Sequence, residues 1–214
     1  MENMKRISYS RIKKYMSCPL QMKGAYELGI RGTQSPQSAR GVEIHSIFEE
    51  AVKQQIALPS EFNFYDAYIK KLAGASCELE IATDRSWAPT AADDPDAWLY
   101  GIVDLWITQG NRGTLLDWKT GKEYPDHVMQ KEFYVCMIAD HFPEIEIFDT
   151  VNVYLDQKTI KSHRFTRVGD IEHLRERWGN RIKRMEADDI CAPTPGPYCR
   201  WCDVSKKRGG PCQF

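Results

Sequence analysis

The chain has 214 residues, 42% of them hydrophobic and 28% charged, with a formal net charge of −1. That suffices for one substantial core, and no apolar run reaches the roughly 20 residues of a membrane-spanning helix. A near-neutral chain is not a nucleic-acid binder by overall charge, so any such surface must be local. Candidates are Lys5, Arg6, Arg11, Lys13 and Lys14, the stretch from Arg175 to Arg184, and Lys206 to Arg208, each of which also reads as a solvated face.

The opening residues MENMKRISYS lack the apolar segment of a signal peptide, which predicts a cytoplasmic protein. Ser8 or Ser10 caps a short helix through Ile12, Tyr15 and Met16, which Pro19 ends just past Cys18. A second helix over 38–56 carries Ile44, Phe48, Ala51 and Val52 at helical spacing. His45 borders that stripe, and periodicity alone makes it a hydrogen-bonded core residue. A third helix is expected over 60–74.

The period then changes to two. In CELEIAT, 77–83, Cys77, Leu79 and Ile81 alternate with Glu78 and Glu80 as in a half-buried strand. WLYGIVDLWIT, 98–108, and GTLLDWKT, 113–120, are two more strands, joined as a hairpin across QGNRG. A helix over 126–142, apolar through Val128, Phe133, Cys136 and Met137, precedes a second hairpin of 149–155 with 159–166 and a last helix over 170–187. This order predicts an α/β fold, a mixed central β-sheet flanked by helices, in a single domain spanning 1–214. Residues 1–75 form its N-terminal helical part, 76–187 its core, and 188–214 a tail rich in cysteine and proline that no regular element accommodates.

Residues two apart in a strand share a face, so Asp117 and Lys119 point the same way. A hairpin centred between Gly110 and Asn111 sets Asp104 opposite Asp117. Opposed carboxylates at about 5 Å between Cβ atoms repel, and a hard cation, Mg²⁺ or Mn²⁺, would relieve them. A lone D-x-K is weak, since surface acids at a strand end give the same pattern. Gln130 and Tyr134 stand four apart and share a helical face, where Tyr134 also reads as a core aromatic. In the tail, Cys199-Arg-Trp-Cys202 followed by Cys212 has metal-ligand spacing and lacks a fourth ligand. Cys191 would complete a local four-thiolate zinc site. Cys77 and Cys136 read as small buried hydrophobes.

Taken in order, Gly101-Ile-Val-Asp104, Asp117-Trp-Lys119-Thr-Gly121 and Gln130-Lys-Glu-Phe-Tyr134 resemble the motif series of the PD-(D/E)XK nucleases. The similarity is to the RecB-like branch, with its CRISPR-associated adaptation nucleases and AddB-type recombination subunits. GVEIHSIFEE and SYSRIKKYMSCP are similar to that branch's histidine helix and opening segment, so the resemblance runs from Ser8 to Cys212. It implies a restriction-endonuclease-like core and a metal-dependent deoxyribonuclease, chiefly an exonuclease, with endonuclease activity open.

The resemblance further implies a divalent ion held by His45, Asp104, Asp117 and the carbonyl of Trp118. Lys119, Gln130 and Tyr134 would act beside Asp104 and Asp117, with Glu80 approaching from the neighbouring strand and Glu78 as its rival. It implies a four-iron four-sulfur cluster on Cys18, Cys199, Cys202 and Cys212 that staples the tail to the N-terminal helix, with Zn²⁺ as the alternative. The gap before Cys212 is longer than the family's usual one. DNA ends or single strands would be the substrate, in recombination or in phage or CRISPR-type processing. The chain has no G-x-x-x-x-G-K-[ST] loop and hence no motor of its own, so a helicase or recombination protein is an expected partner. A homo-oligomer, as among ring-forming distant relatives, stays open. The competing readings are a catalytically silent DNA-end binding or scaffold module, which would show a lost catalytic residue, and a zinc-knuckle protein with an incidental acidic hairpin.

Overall fold

The computed structural model describes residues 6–32 and 35–214; Lys5, one of the basic candidates, lies outside them. Helix α1 spans Tyr9–Ser17, and the Ser8 hydroxyl accepts the Arg11 N–H at its start. Pro19 does more than close this helix: it opens a second one, α2, Pro19–Tyr26. Proline suits that position because the amide it lacks would be unpaired there anyway. Helix α3, Pro36–Gln54, starts the same way, with the Ser35 hydroxyl accepting from the Ser38 N–H. The helix expected over 60–74 contracts to a 3-10 turn and α4, Asp66–Lys71. The Asp66 carboxylate accepts the Leu58 N–H at 2.8 Å, tying the preceding loop down where the helix begins.

Six strands form one sheet: β1 Ser76–Thr83, β2 Pro89–Thr90, β3 Leu99–Gln109, β4 Arg112–Lys119, β5 Ile147–Tyr154 and β6 Thr159–Thr166. Their order is β2-β1-β3-β4-β5-β6, and every pair is antiparallel except β4 with β5. That parallel pair needs a crossover, which α5, Asp126–Ile138, supplies; the expected helix is shorter here because Ala139–His141 tighten into a 3-10 turn. Helix α6, Glu172–Glu186, follows the sheet. The mixed sheet flanked by helices is therefore present. No described helix is long and apolar enough to cross a membrane.

Both faces of the sheet are covered. On one, Ile12, Phe133, Met137, Trp178 and Ile182 from α1, α5 and α6 pack on Val103, Trp106, Leu115 and Phe148. On the other, Phe48, Val52 and Ile69 from α3 and α4 pack on Leu105, Leu116, Trp118 and Val151. Each such side chain contributes on the order of 2 kcal/mol by leaving water.

The alternation read in CELEIAT does not hold across the whole strand. Leu79 and Ile81 join the first core, whereas Cys77 packs against the second. The cause is Glu78, whose φ of +50° breaks the pleat and swaps the faces. Opposite it, β3 changes faces between Val103 and Leu105, with Asp104 at the break. The β3–β4 turn has the expected register: Gln109 pairs with Arg112, and Gly110, at φ +59°, takes the left-handed position. The ladder ends at Leu105–Leu116, so Asp104 and Asp117 flank the point where β3 and β4 part.

Candidate active site

Where the ladder ends, side chains replace backbone pairing. The Trp118 N–H donates to Asp104 Oδ2 at 3.0 Å. Trp118 itself is clamped in the second core by Phe48, with ring centroids 4.5 Å apart, so Asp117 and Lys119 turn to the opposite face, toward α5. The carboxyl groups of Asp104 and Asp117 come within hydrogen-bonding reach of each other. His45, carried by α3, places Nδ1 3.2 Å from Asp104 Oδ2. The Lys119 ammonium is ion-paired with Asp117 and donates to Gln130 Oε1 at 3.1 Å, and Gln130 Nε2 donates to the Tyr134 hydroxyl at 3.4 Å. The structure thus brings together His45, Asp104, Asp117, Trp118, Lys119, Gln130 and Tyr134.

Electrostatics separates the two acids. Burial, followed by the neighbouring Asp117 carboxylate, drives the Asp104 pKa well up. Burial pushes Asp117 the same way, but the ammonium groups of Lys131 and Lys119 outweigh it and hold Asp117 below the usual carboxylate range. Burial lowers the His45 pKa, which leaves its imidazole neutral and able to offer a lone pair at neutral pH. Tyr134 is pushed up to about 12, chiefly by burial, so its hydroxyl stays protonated.

Lys131 is the residue that sequence reasoning missed. It lies in the middle of α5, is only 1% exposed, and sits 3.7 Å from Asp117 Oδ2. A signal existed: it is a lysine on the apolar flank of a helix between Val128 and Phe133, where a charge needs a reason. The two acids of β1 are placed differently. Glu78, at the break in the strand, lines the cleft with His45, Glu49, Asp104 and Thr120. Glu80 pairs across the sheet with Ile102 and interacts with Tyr100 instead.

Gly101 on β3 faces the ring of Tyr134, and a Cβ there would come 2.6 Å from Cε1. Gly101→Ala is expected to push Tyr134 away from Gln130 and to cost about 1–3 kcal/mol by overpacking, read as a lower urea midpoint at unchanged slope.

The donor set fits a hard divalent ion. Two carboxylates and a neutral imidazole lie at the same end of the split ladder, and Asp117 Oδ2 is buried without an aligned hydrogen bond despite its ion pairs. Among the described residues, no group of three or more His, Cys, Asp or Glu side chains is already arranged to hold an ion.

The cysteines divide. Cys18, Cys199, Cys202 and Cys212 line one cavity of about 80 Å³. Cys212 returns there because its N–H donates to the Val204 carbonyl at 2.9 Å, with residues 206–209 looping out between. Backbone N–H groups of Thr194 and Gly196 donate to the sulfurs of Cys18 and Cys199 at 3.4 and 3.2 Å. Cys191 is elsewhere, buried, with its thiol donating to the Asp188 carbonyl, so the purely local four-cysteine set does not assemble. The tail is irregular as expected, its helical content limited to two 3-10 segments.

A mixed sheet that splits at an acid pair, beside a lysine and a helical histidine, defines a restriction-endonuclease-like α/β protein. Residues 6–206 match the PD-(D/E)XK nuclease superfamily, and the chain belongs to it. Membership places it among phosphodiester hydrolases acting on nucleic acid. Solved structures agree in fold. SSO0001 is 16% identical with a TM-score of 0.54, the match covering 98% of this chain and 88% of that one. The "Putative exonuclease" from Eubacterium rectale is 14% identical with a TM-score of 0.59, covering 94% and 88%. No curated protein matches by sequence.

Proposed function

We propose that the chain is a divalent-metal-dependent deoxyribonuclease that degrades DNA from its ends, with Mg²⁺ or Mn²⁺ held by Asp104, Asp117, His45 and the Trp118 carbonyl. The observation carrying this reading is the convergence of two carboxylates of opposite pKa displacement on one buried point, with Lys119 alongside. A bound ion would supply Lewis acidity toward the scissile phosphate and a more acidic water.

The protein's own groups do the rest. Asp117, kept ionised, is the ready anion of the pair. Asp104 is held in place by the Trp118 N–H and His45. Lys119 faces the same point, fixed by Gln130, where its ammonium orients the attacking water and offsets charge building on the phosphate oxygens. Tyr134 anchors Gln130 from the next helical turn. The name of the Eubacterium rectale neighbour supports the exonuclease direction. In the tail, a four-iron four-sulfur cluster on Cys18, Cys199, Cys202 and Cys212 is the reading we favour over Zn²⁺, supported by these four residues from both ends of the chain lining one cavity. A helicase or recombination protein as partner belongs to the same reading.

The test uses Mn²⁺ with linear and covalently closed circular DNA, single- and double-stranded, each labelled uniformly. Linear DNA should be consumed to short products while circles survive. Equal loss of circles would replace the exonuclease with an endonuclease, and no cleavage of any substrate with Mn²⁺ or Mg²⁺ would leave the silent DNA-end binding module.

A further inference from the structure

We infer that Lys131 is a positioning residue for Asp117: a second fixed cation that keeps the acid pair assembled before any divalent ion arrives and holds affinity for that ion down. The inference rests on the metal-dependent reading above.

Three observations carry it. Lys131 is 1% exposed in the middle of α5, among Phe133, Val135 and Met137 of the first core. An aliphatic side chain is the ordinary occupant of such a place, because a buried ammonium is costly unless a partner offsets it. Its partner is Asp117, whose Oδ2 lies 3.7 Å from Nζ and also carries Lys119. Being enclosed, Lys131 cannot reach a phosphate or an incoming water, which separates its role from that of Lys119, whose side chain is 17% exposed at the mouth.

The two lysines therefore set two positive charges against Asp104 and Asp117. The acids stay together without an ion, and the site is preorganised. The same charge repels a divalent ion. Because that ion carries two charges, the ammonium disfavours it more than it disfavours a proton on the same acids. Removing Lys131 thus tightens ion binding even where binding displaces a proton.

The experiment titrates the full-length chain with MnCl₂ by calorimetry, with Asp117→Ala as the blank, and records unfolding midpoints with and without Mn²⁺. Lys131→Met should bind Mn²⁺ at least about tenfold tighter than wild type, unfold at lower temperature without the ion, and gain a larger midpoint rise on adding it. Lys131→Gln removes the same charge, so one folded neutral variant suffices. Lys131→Arg keeps the charge and should keep the wild-type affinity even if altered packing lowers its midpoint. Neutral variants that bind Mn²⁺ no tighter than wild type, or an arginine variant that behaves like them, overturn the inference while the metal reading stands. Wild type indistinguishable from the blank overturns both.

Discussion

Lys119→Met should slow DNA cleavage about a thousandfold, the scale of losing one fixed donor aimed at developing charge, while Mn²⁺ binding remains. Asp117→Asn should abolish both. The split follows from geometry. Lys119 reaches the mouth of the site and is held by Gln130 at 3.1 Å, so its methylenes can be replaced by methionine at small structural cost. Asp117 is 4% exposed and is the common partner of Lys119 and Lys131. Removing its charge strands an enclosed ammonium, at a cost of about 3–5 kcal/mol, so rates must be compared well below both unfolding midpoints. Single-turnover cleavage of labelled linear DNA with saturating Mn²⁺ gives the rates, and calorimetry gives the binding. If Lys119→Met lost ion binding while its cleavage rate at saturating ion equalled that of wild type, the assignment of roles would be wrong.

Much of this site was legible because it depends on short-range rules. Strand period set Asp117 and Lys119 on one face, the Gly110-Asn111 turn set the β3–β4 register, and helical spacing set Gln130 over Tyr134. His45 needed the family resemblance, since its helix alone argues for a core histidine. What the sequence hid depends on tertiary context. Glu78 looked equivalent to Glu80 because nothing in CELEIAT announces a left-handed residue in mid-strand. Lys131 shows only as a lysine on the apolar flank of its helix; its partner, Asp117 on β4, comes from the packing of α5 on the sheet, which that local pattern does not name. Helix α2 is hidden in the sequence because Pro19 reads as a stop and here also serves as a start.

The tail poses the converse case, an irregular segment in which the proposed metal tie would act where apolar packing is slight. Its apolar anchor is slight: Val204 is 1% exposed and packs against Gly24 of α2, and beyond it Ser205 and Cys212 are the buried residues. Under the proposed reading, ligation by the four cysteines that line one cavity would be a stronger tie, since ligation free energy is folding free energy, on the order of 10 kcal/mol for a structural metal site. Cys18→Ala and Cys202→Ala should therefore each empty the site and lower the stability of the tail by several kcal/mol, while Cys191→Ala leaves metal content at the wild-type level. The pairing is diagnostic because Cys18 and Cys202 are 184 positions apart yet line the same cavity, whereas Cys191 is near in sequence and sits against Asp188. The measurement is iron, sulfide and zinc content after purification without oxygen, alongside proteolysis of the tail. Iron with sulfide identifies the cluster, and zinc alone changes the cofactor and keeps the ligands. Metal lost from Cys191→Ala but retained in Cys18→Ala would show that the ends are not joined in this way. The sheet, buried independently by α3, α5 and α6, should remain folded in all three variants.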